Sequence, residues 1–461
     1  MVCEHPQQKA KMSPAPSNPD SASLLADIVN KARAMGADAA DAMLIDATAL
    51  SVGCRLGKTE TLERAESGDL GLRVFVGKKQ AMVSATDRHP RSLKELVERA
   101  VAMAKAAPED EFCGLADPDM VTKNWPQLES ADDKEPSAED LITSARAAED
   151  AALAVKGVSN SEGADAGASI ASVTLAASNG FTGHYRRTSY SLSASMIAGD
   201  GTQMERDYDY ATRVFLNDMP DAVGIGKKAG ERAVKRLGAR KMPTGQIPVV
   251  FEPRIGGSLL GSLAGAISGA GVARGTSFLK DRLGQEIFSS HITIIDDPFR
   301  ARGLRSRPFD AEGILPRKLK IIDKGVLTTW LLDSRSARQL KMKSTGHASR
   351  SPGGTPSPSA SNLYMEPGAY SPSELIKDIK QGFYVTELMG SGVNGVTGDF
   401  SQAAAGFWIE NGVISFPVSE MTIAGNLKDM FKNLTPANDL EFLRGIDVPT
   451  LRIEGMTVAG V

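Results

Sequence analysis

The chain has 461 residues, 41% of them hydrophobic and 24% charged, which is enough for two or three domains with complete cores. Its formal net charge of −3, with no Lys/Arg cluster interleaved with aromatics, excludes the electrostatic footprint of a nucleic-acid binder. The cysteines Cys3, Cys54 and Cys113 are too few and too far apart for a disulfide framework and fit a reducing compartment, so a cytoplasmic location is expected.

Residues 1–22 mix Pro6, Pro14, Pro16 and Pro19 with polar groups and lack the apolar core of a signal peptide, so a disordered tail is expected there. Leu24, Leu25, Ile28, Val29 and Ala32 then repeat at helical spacing, with Gly36 as the stop. AMLIDATALSVGCRLG alternates like a strand, and LGLRVFVGKKQAMVSAT reads as two strands around Gly77. Ser92 with Glu95 predicts a capping box for a helix ended by Pro108, and Ser137 with Asp140 predicts another for a helix through Val155. From Ala168 strand patterning returns, turning at Asn179-Gly180 and continuing into a meander. AVGIGKKAGERAVKRLGA reads as a helix closing this half near Gly238, and ARKMPTG is the expected inter-domain joint.

The second half opens with the strand IPVVF and then runs IGGSLLGSLAGAISGAGVA between Arg254 and Arg274 without an ionisable side chain. Gly257, Gly261, Gly265 and Gly269 are spaced four apart, which on a helix makes one bare stripe that another backbone can approach closely. Six glycines handicap such a helix by roughly 5 kcal/mol, so it must be held by packing, and part of the run could be loop. A membrane span is disfavoured, because Gly and Ser dilute the large apolar residues. Strands and hairpins follow, in ITIIDD, LKIIDKGVLTTWLLD, FYVTELM, FWIENGVISFPV and LRIEGMTV. The run from Ser344 to Asn362, rich in Ser, Gly and Pro, is expected to be an exposed mobile loop.

Several chemistries fail on residue types. Gly390, Gly392 and Gly395 satisfy GxGxxG, but strand patterning rather than a helix follows, so a tight turn is expected and not a dinucleotide site. The five histidines, His5, His89, His184, His291 and His347, are too scattered for a zinc helix with ligands at i and i+4, and are read as isolated polar or surface groups. No GxSxG elbow occurs, and no cysteine follows Cys113. Asp296-Asp297 beside Pro298 reads as a turn at a strand end.

The runs FEPRIGGSLLGSLAGAISG, RGLRSRPFDAEGI, STGHA and VTELMGSGVNGVTGDFSQAAAGFWIENGVISFPVSEMTIAGNLKDM resemble the TldD/PmbA family, within it the PmbA (TldE) branch. ADAADAMLID and SGDLGLRVFVGKKQAMVSATD fit as well, so the resemblance covers the chain from about residue 24. It implies an α+β subunit, with a mixed α/β N-terminal region followed by a β-rich, mainly antiparallel C-terminal domain, assembled as a dimer around an enclosed cleft. The expected divisions are the tail at 1–22, an N-terminal region at 23–238 that is divisible near 115–136, and a C-terminal domain at 245–461. In the TldD branch an HExxxH helix and a cysteine near the C-terminus make a zinc peptidase site. Here the run from Ile255 to Ala273 falls where that helix would be, with no His or Glu, and NDLEFLRGIDVPTLRIEG supplies no Cys.

The resemblance therefore implies a subunit with no catalytic or metal-binding residue of its own, zinc being expected on a TldD-like partner that cuts unfolded or small peptides. Gly257, Gly261, Gly265 and Gly269 are the candidate interface, and Asp399, Phe400, Glu410 and Glu420 the candidate cleft or scaffold residues. For the last four a structural role is at least as well supported, since Asp399 and Glu410 flank glycine turns and Phe400 is apolar enough for a core. A β-rich domain also has edges to which an extended peptide can add as a strand. The alternatives are a free-standing homodimeric peptide- or protein-binding module, of the modulator of DNA gyrase type, and a self-sufficient peptidase with unidentified ligands. Neither nucleic acid nor membrane is expected as a partner.

Overall fold

A computed structural model of the chain describes residues 19–390 and 392–460. The N-terminal region is built on one antiparallel sheet of β1 (Ala39–Arg55), β2 (Lys58–Val76), β3 (Lys79–Ala85), β4 (Val158–Ala177), β5 (Thr182–Ala198) and β6 (Glu205–Arg213), in the order β3-β2-β1-β4-β5-β6. Period-2 alternation divides it into two faces. Even-numbered residues of β1, from Ala40 to Cys54, lie under helices: α1 (Pro19–Ala34) and α2 (Pro90–Ala106) cover one half of the sheet, α3 (Ala138–Leu153) and α4 (Ala222–Lys235) the other. Odd-numbered residues, Asp41, Met43 and Ile45 among them, face the C-terminal domain. Two helical cores thus share a single sheet.

The expected tail lies outside the described residues as far as residue 18, and α1 already begins at Pro19, four residues before the expected boundary. The capping box at Ser137 and Asp140 is present. The one expected at Ser92 and Glu95 is not: Pro90, its φ preset for a helix, occupies the first turn, and His89 becomes the N-cap. Ser92 instead donates to Asp87, and Glu95 pairs with Arg91. The turn at Asn179-Gly180 joins β4 to β5, with Gly180 at φ +95°.

In the C-terminal domain β7 (Gly245–Phe251) leads into α5 (Pro253–Ala266) and α6 (Gly269–Ala273). A small sheet follows, made of β8 (Ile294–Asp296), β9 (Leu319–Asp323) and β10 (Val326–Leu327), after which come α7 (Ser334–Gln339), the short pair β11 (Ala348–Ser349) and β12 (Ser357–Pro358), and β13 (Leu363–Met365). Past α8 (Pro372–Ile376) come the long strands β14 (Gln381–Met389), β15 (Asp399–Glu410) and β16 (Val413–Asn426), then α9 (Leu427–Lys432), β17 (Leu434–Pro436), β18 (Ile446–Asp447) and β19 (Leu451–Ala459). Because β16 also pairs with β19, the order β16-β15-β14-β7-β19 closes on itself into a ring. Only β7 with β14 and β13 with β18 run parallel, so the α+β, mainly antiparallel expectation holds. The largest core fills this domain, with Phe251, Leu259, Leu263, Phe288, Phe383 and Phe431 among its buried side chains. Among the described residues no helix is long and apolar enough to cross a membrane.

The segment from Ser344 to Asn362 differs from the exposed loop expected of it. Only its tip around 351–357 is exposed; Ser344, His347, Ala348, Ser361 and Asn362 are buried. His347 accounts for much of this. One ring nitrogen meets Asp296 at 3.1 Å and the other meets Thr345 at 2.9 Å, while Asp296 also accepts from the Ser361 N–H at 2.7 Å. Asp296 is thus the buried anchor of the strap and not a surface turn, and His347 is not a surface histidine.

Candidate functional site

Where the strap and the segment 303–311 face the odd side of the N-terminal sheet, they leave a cavity of about 590 Å³. Met43 and Ile45 of β1, Val173 and Leu175 of β4, and Phe309 give it an apolar floor. Four arginines line it, Arg187 from β5, Arg305 and Arg307 from the 303–311 segment and Arg350 from the strap, against the single lining carboxylate of Asp310.

These charges are held very differently. Asp41 and Arg73 stand opposite each other in the β1–β2 register and form a buried pair, Arg73 Nε donating at 2.9 Å. Arg350 reaches across from the strap to the same carboxylate at 2.6 Å, its side chain only 1% exposed. Burial acts to raise the Asp41 pKa, but the two guanidiniums override it and hold the carboxyl below its usual range. Arg350 Nε and Nη2 have no hydrogen-bond partner. Arg307 donates to the carbonyls of Ser359, at 2.9 Å, and Ala348. Arg187 and Arg305 are exposed, and among the described residues no carboxylate forms an ion pair with either.

Asp310 and Glu312 sit beneath the cavity. Asp310 accepts the backbone N–H groups of Glu312, Ile314 and Ala348, and burial still pushes its pKa up. Glu312 accepts from the Ser334 N–H at 2.8 Å; burial, then the neighbouring Asp310 charge, raises its pKa to about 7. A buried carboxylate that protonates near neutrality is a common feature of functional sites. Thr345, His347 and Asp296 are spaced like a nucleophile relay, but none of them lines this cavity. They serve as the pin of the strap.

Leu304 and Arg305 also line a neighbouring groove of about 500 Å³ that reaches Gly257 and Ser258 on α5, with Arg254, Tyr210 and Arg444 alongside. Arg254 is tied to Asp207 at 2.7 Å, and Arg444 to the Tyr210 hydroxyl at 2.8 Å. The glycine stripe is split. Gly257 lies against the Ile446 carbonyl, and a Cβ on Gly261 or Gly265 would meet, beyond its own helix, no atom of the described residues within 4 Å. Gly269 falls in α6 and packs on Leu332 and Ser336. The break at Ile267–Ser268 arises because Gly269 N–H and Leu331 N–H bond across to Leu331 and Ile267 carbonyls, pulling the chain out of the helix.

The other sequence candidates do not converge. Asp399 is exposed and bonded to Thr397 and Asn426, Phe400 is 2% exposed in the main core, and Glu410 lies at the far end of β15, about 35 Å from Asp399. Glu420 takes φ +55° and pairs with Lys241 at 2.6 Å. Gly390, Gly392 and Gly395 lie in the nine-residue connection from 390 to 398 between β14 and β15, longer than the tight turn expected, with Ser391 outside the described residues. Missed from the sequence were Arg187, Arg305, Arg307 and Arg350. The only available signal was the Arg305-Ser306-Arg307 alternation inside RGLRSRPFDAEGI.

Sheet, strap and ring are those of the PmbA/TldD metallopeptidase class, whose three family domains match along the chain: domain 1 at 40–104, the central domain at 131–237 and the C-terminal domain at 244–460. The chain belongs to that family. It is 38% identical to the metalloprotease PmbA of Escherichia coli O157:H7, covering 92% of each chain, and 34% identical to the PmbA homologue of Haemophilus influenzae, covering 91% of this chain and 92% of that one. A Bacteroides thetaiotaomicron protein described as a candidate modulator of DNA gyrase superposes with a TM-score of 0.88 at 29% identity, covering 96% of this chain and 100% of that one. TldE from Thermococcus kodakarensis shares the fold, with a TM-score of 0.85 at 21% identity over 95% of this chain and 100% of that one.

Among the described residues no three His, Cys, Asp or Glu side chains are grouped to hold a metal ion. His89 caps α2, His184 meets Ser172, and His347 is taken by Asp296.

Proposed function

We propose that this chain is the PmbA/TldE-type subunit of a two-chain zinc metallopeptidase, pairing with a TldD-like chain that carries the metal, and that its groove holds extended peptide. One observation carries the reading. On α5, where the resemblance puts the zinc helix, Gly261, Ser262 and Gly265 offer no ligating ring or carboxylate, and at the two glycines no described residue from outside the helix comes within 4 Å of an added Cβ. A close-packed partner helix would fill that space. The groove at Gly257 and Ser258 adjoins the arginine-lined cavity at Leu304 and Arg305, and in this reading the two together make the path for unfolded peptide. A reducing, cytoplasmic setting fits the unpaired Cys54 and Cys113.

The test is to purify the chain alone, and together with a TldD-like chain from the same genome, then measure mass in solution, zinc content and cleavage of unfolded peptides. A mixed complex that holds zinc and cleaves, beside an inactive, zinc-free single chain, is the expected result. Stoichiometric zinc and cleavage by this chain alone would refute the proposal. A stable homodimer that ignores the TldD-like chain would favour the binding-module alternative, in line with the description of the Bacteroides protein.

A further inference from the structure

We infer that the arginine-lined cavity is a carboxylate-binding subsite, in which Arg187, Arg305 and Arg307 receive an acidic group of an extended peptide while the floor of Met43, Ile45, Val173 and Phe309 takes an adjacent apolar side chain. The inference rests on the reading of the groove as a peptide path and names the peptide class it selects.

Charge on this wall is left without a counter-charge. Arg187 and Arg305 are exposed to the cavity and among the described residues form no ion pair with a carboxylate; Arg307 is held by two backbone carbonyls, with its Nε unpartnered. Beneath them Arg350 shares the Asp41 carboxylate with Arg73, and Glu312 is the further carboxylate whose charge acts on both. Asp310, the only acidic lining residue, already accepts three backbone N–H groups and has little capacity left for an arginine. Guanidinium forks match a carboxylate in two parallel hydrogen bonds, and in a recess partly shielded from water such charge-assisted bonds are stronger than neutral ones. A long polyanion is a poor fit, because the cavity is small, its floor is apolar and the chain as a whole is acidic.

The acidic group can come from a peptide C-terminus or from a Glu or Asp side chain, and the assay separates the two. Fluorescein-labelled octapeptides of Ala, Val and Gly would be titrated by anisotropy onto the full chain and onto its complex with a TldD-like chain. One octapeptide has a free C-terminus and no acidic residue, one an amidated C-terminus with a central Glu, and one an amidated C-terminus with a central Gln. At least one carboxylate-bearing peptide should bind tenfold or more tighter than the Gln peptide, and whichever does names the source. The double variant R187Q/R305Q, altered only at exposed positions, should erase that difference while melting at the wild-type temperature. Equal binding of all three peptides overturns the carboxylate subsite but leaves the peptide groove standing. No binding of any peptide overturns both. Displacement of the tight peptide by inorganic phosphate at equal concentration assigns the pocket to phosphate and also overturns the inference.

Discussion

Replacing Glu312 by Gln tests whether the carboxylate beneath the cavity is held at the expense of stability. Glu312 is 6% exposed, accepts the Ser334 N–H, and titrates near 7 because of its burial and its neighbour Asp310, against an ordinary value of 4.5. Between those values the folded chain holds a proton that the unfolded chain has released, so stability falls as pH rises from about 4.5 to about 7 and is level above. The interval is equivalent to about 3 kcal/mol. Gln keeps an oxygen for Ser334, removes the buried charge and relieves Asp310. Urea unfolding of wild type and E312Q at pH 5, 6, 7 and 8, followed by circular dichroism, should show converging midpoints at pH 5 and a variant more stable by up to about 3 kcal/mol at pH 8. Parallel curves across the range would show that Glu312 carries no buried charge, and the electrostatic account of this cluster would fall.

Gly261→Leu and Gly265→Leu should leave the melting temperature of the isolated chain unchanged or slightly raised, since an added Cβ meets none of the described residues beyond its own helix there and Leu favours the helix by about 1 kcal/mol, while mixed assembly is lost on gel filtration. Gly269→Leu, forced against Leu332 and Ser336, should destabilise the chain itself by about 1–3 kcal/mol. Asp296→Ala should cost about 3 kcal/mol, because His347 and the Ser361 N–H lose their buried acceptor. The Asp296 carboxyl lies below its usual range because His347 and Ser361 overcome the effect of burial. Its contribution is therefore full above about pH 4 and is lost as pH falls through the lowered value, so the variant should show a shallower acid-unfolding profile. Gly71→Ala, whose Cβ would run into the Pro352 carbonyl, should lift the strap and be read as faster tryptic cleavage after Arg350 at unchanged secondary structure.

Much of the scaffold was legible because its signals are local. The Ser137 box, the Asn179-Gly180 turn and the even-odd alternation of β1 each depend on residues a few positions apart, and each fixes structure wherever the rest of the chain goes. The family resemblance, the absence of a zinc helix motif and the glycine-spaced run could likewise be read from residue types alone. Reading composition as exposure failed in the strap. Ser, Gly and Pro usually mark solvated loops, but the fate of Ser344–Asn362 is decided by Asp296 and Asp41, both distant in sequence. Ser92 lost its cap because Pro90 started the helix first.

What the sequence by itself determined is the alternating face that puts Asp41, Met43 and Ile45 on one side of a sheet, and a helix with nothing on Gly261 or Gly265. What only the tertiary structure decided is the company those faces keep. Arg187, Arg305, Arg307 and Arg350 come from three separate segments, and they become a single charged wall only when the strap closes over the sheet. Charge and burial are properties of a place in the folded chain, and residues more than 100 positions apart acquire a shared place only through the packing that brings them together.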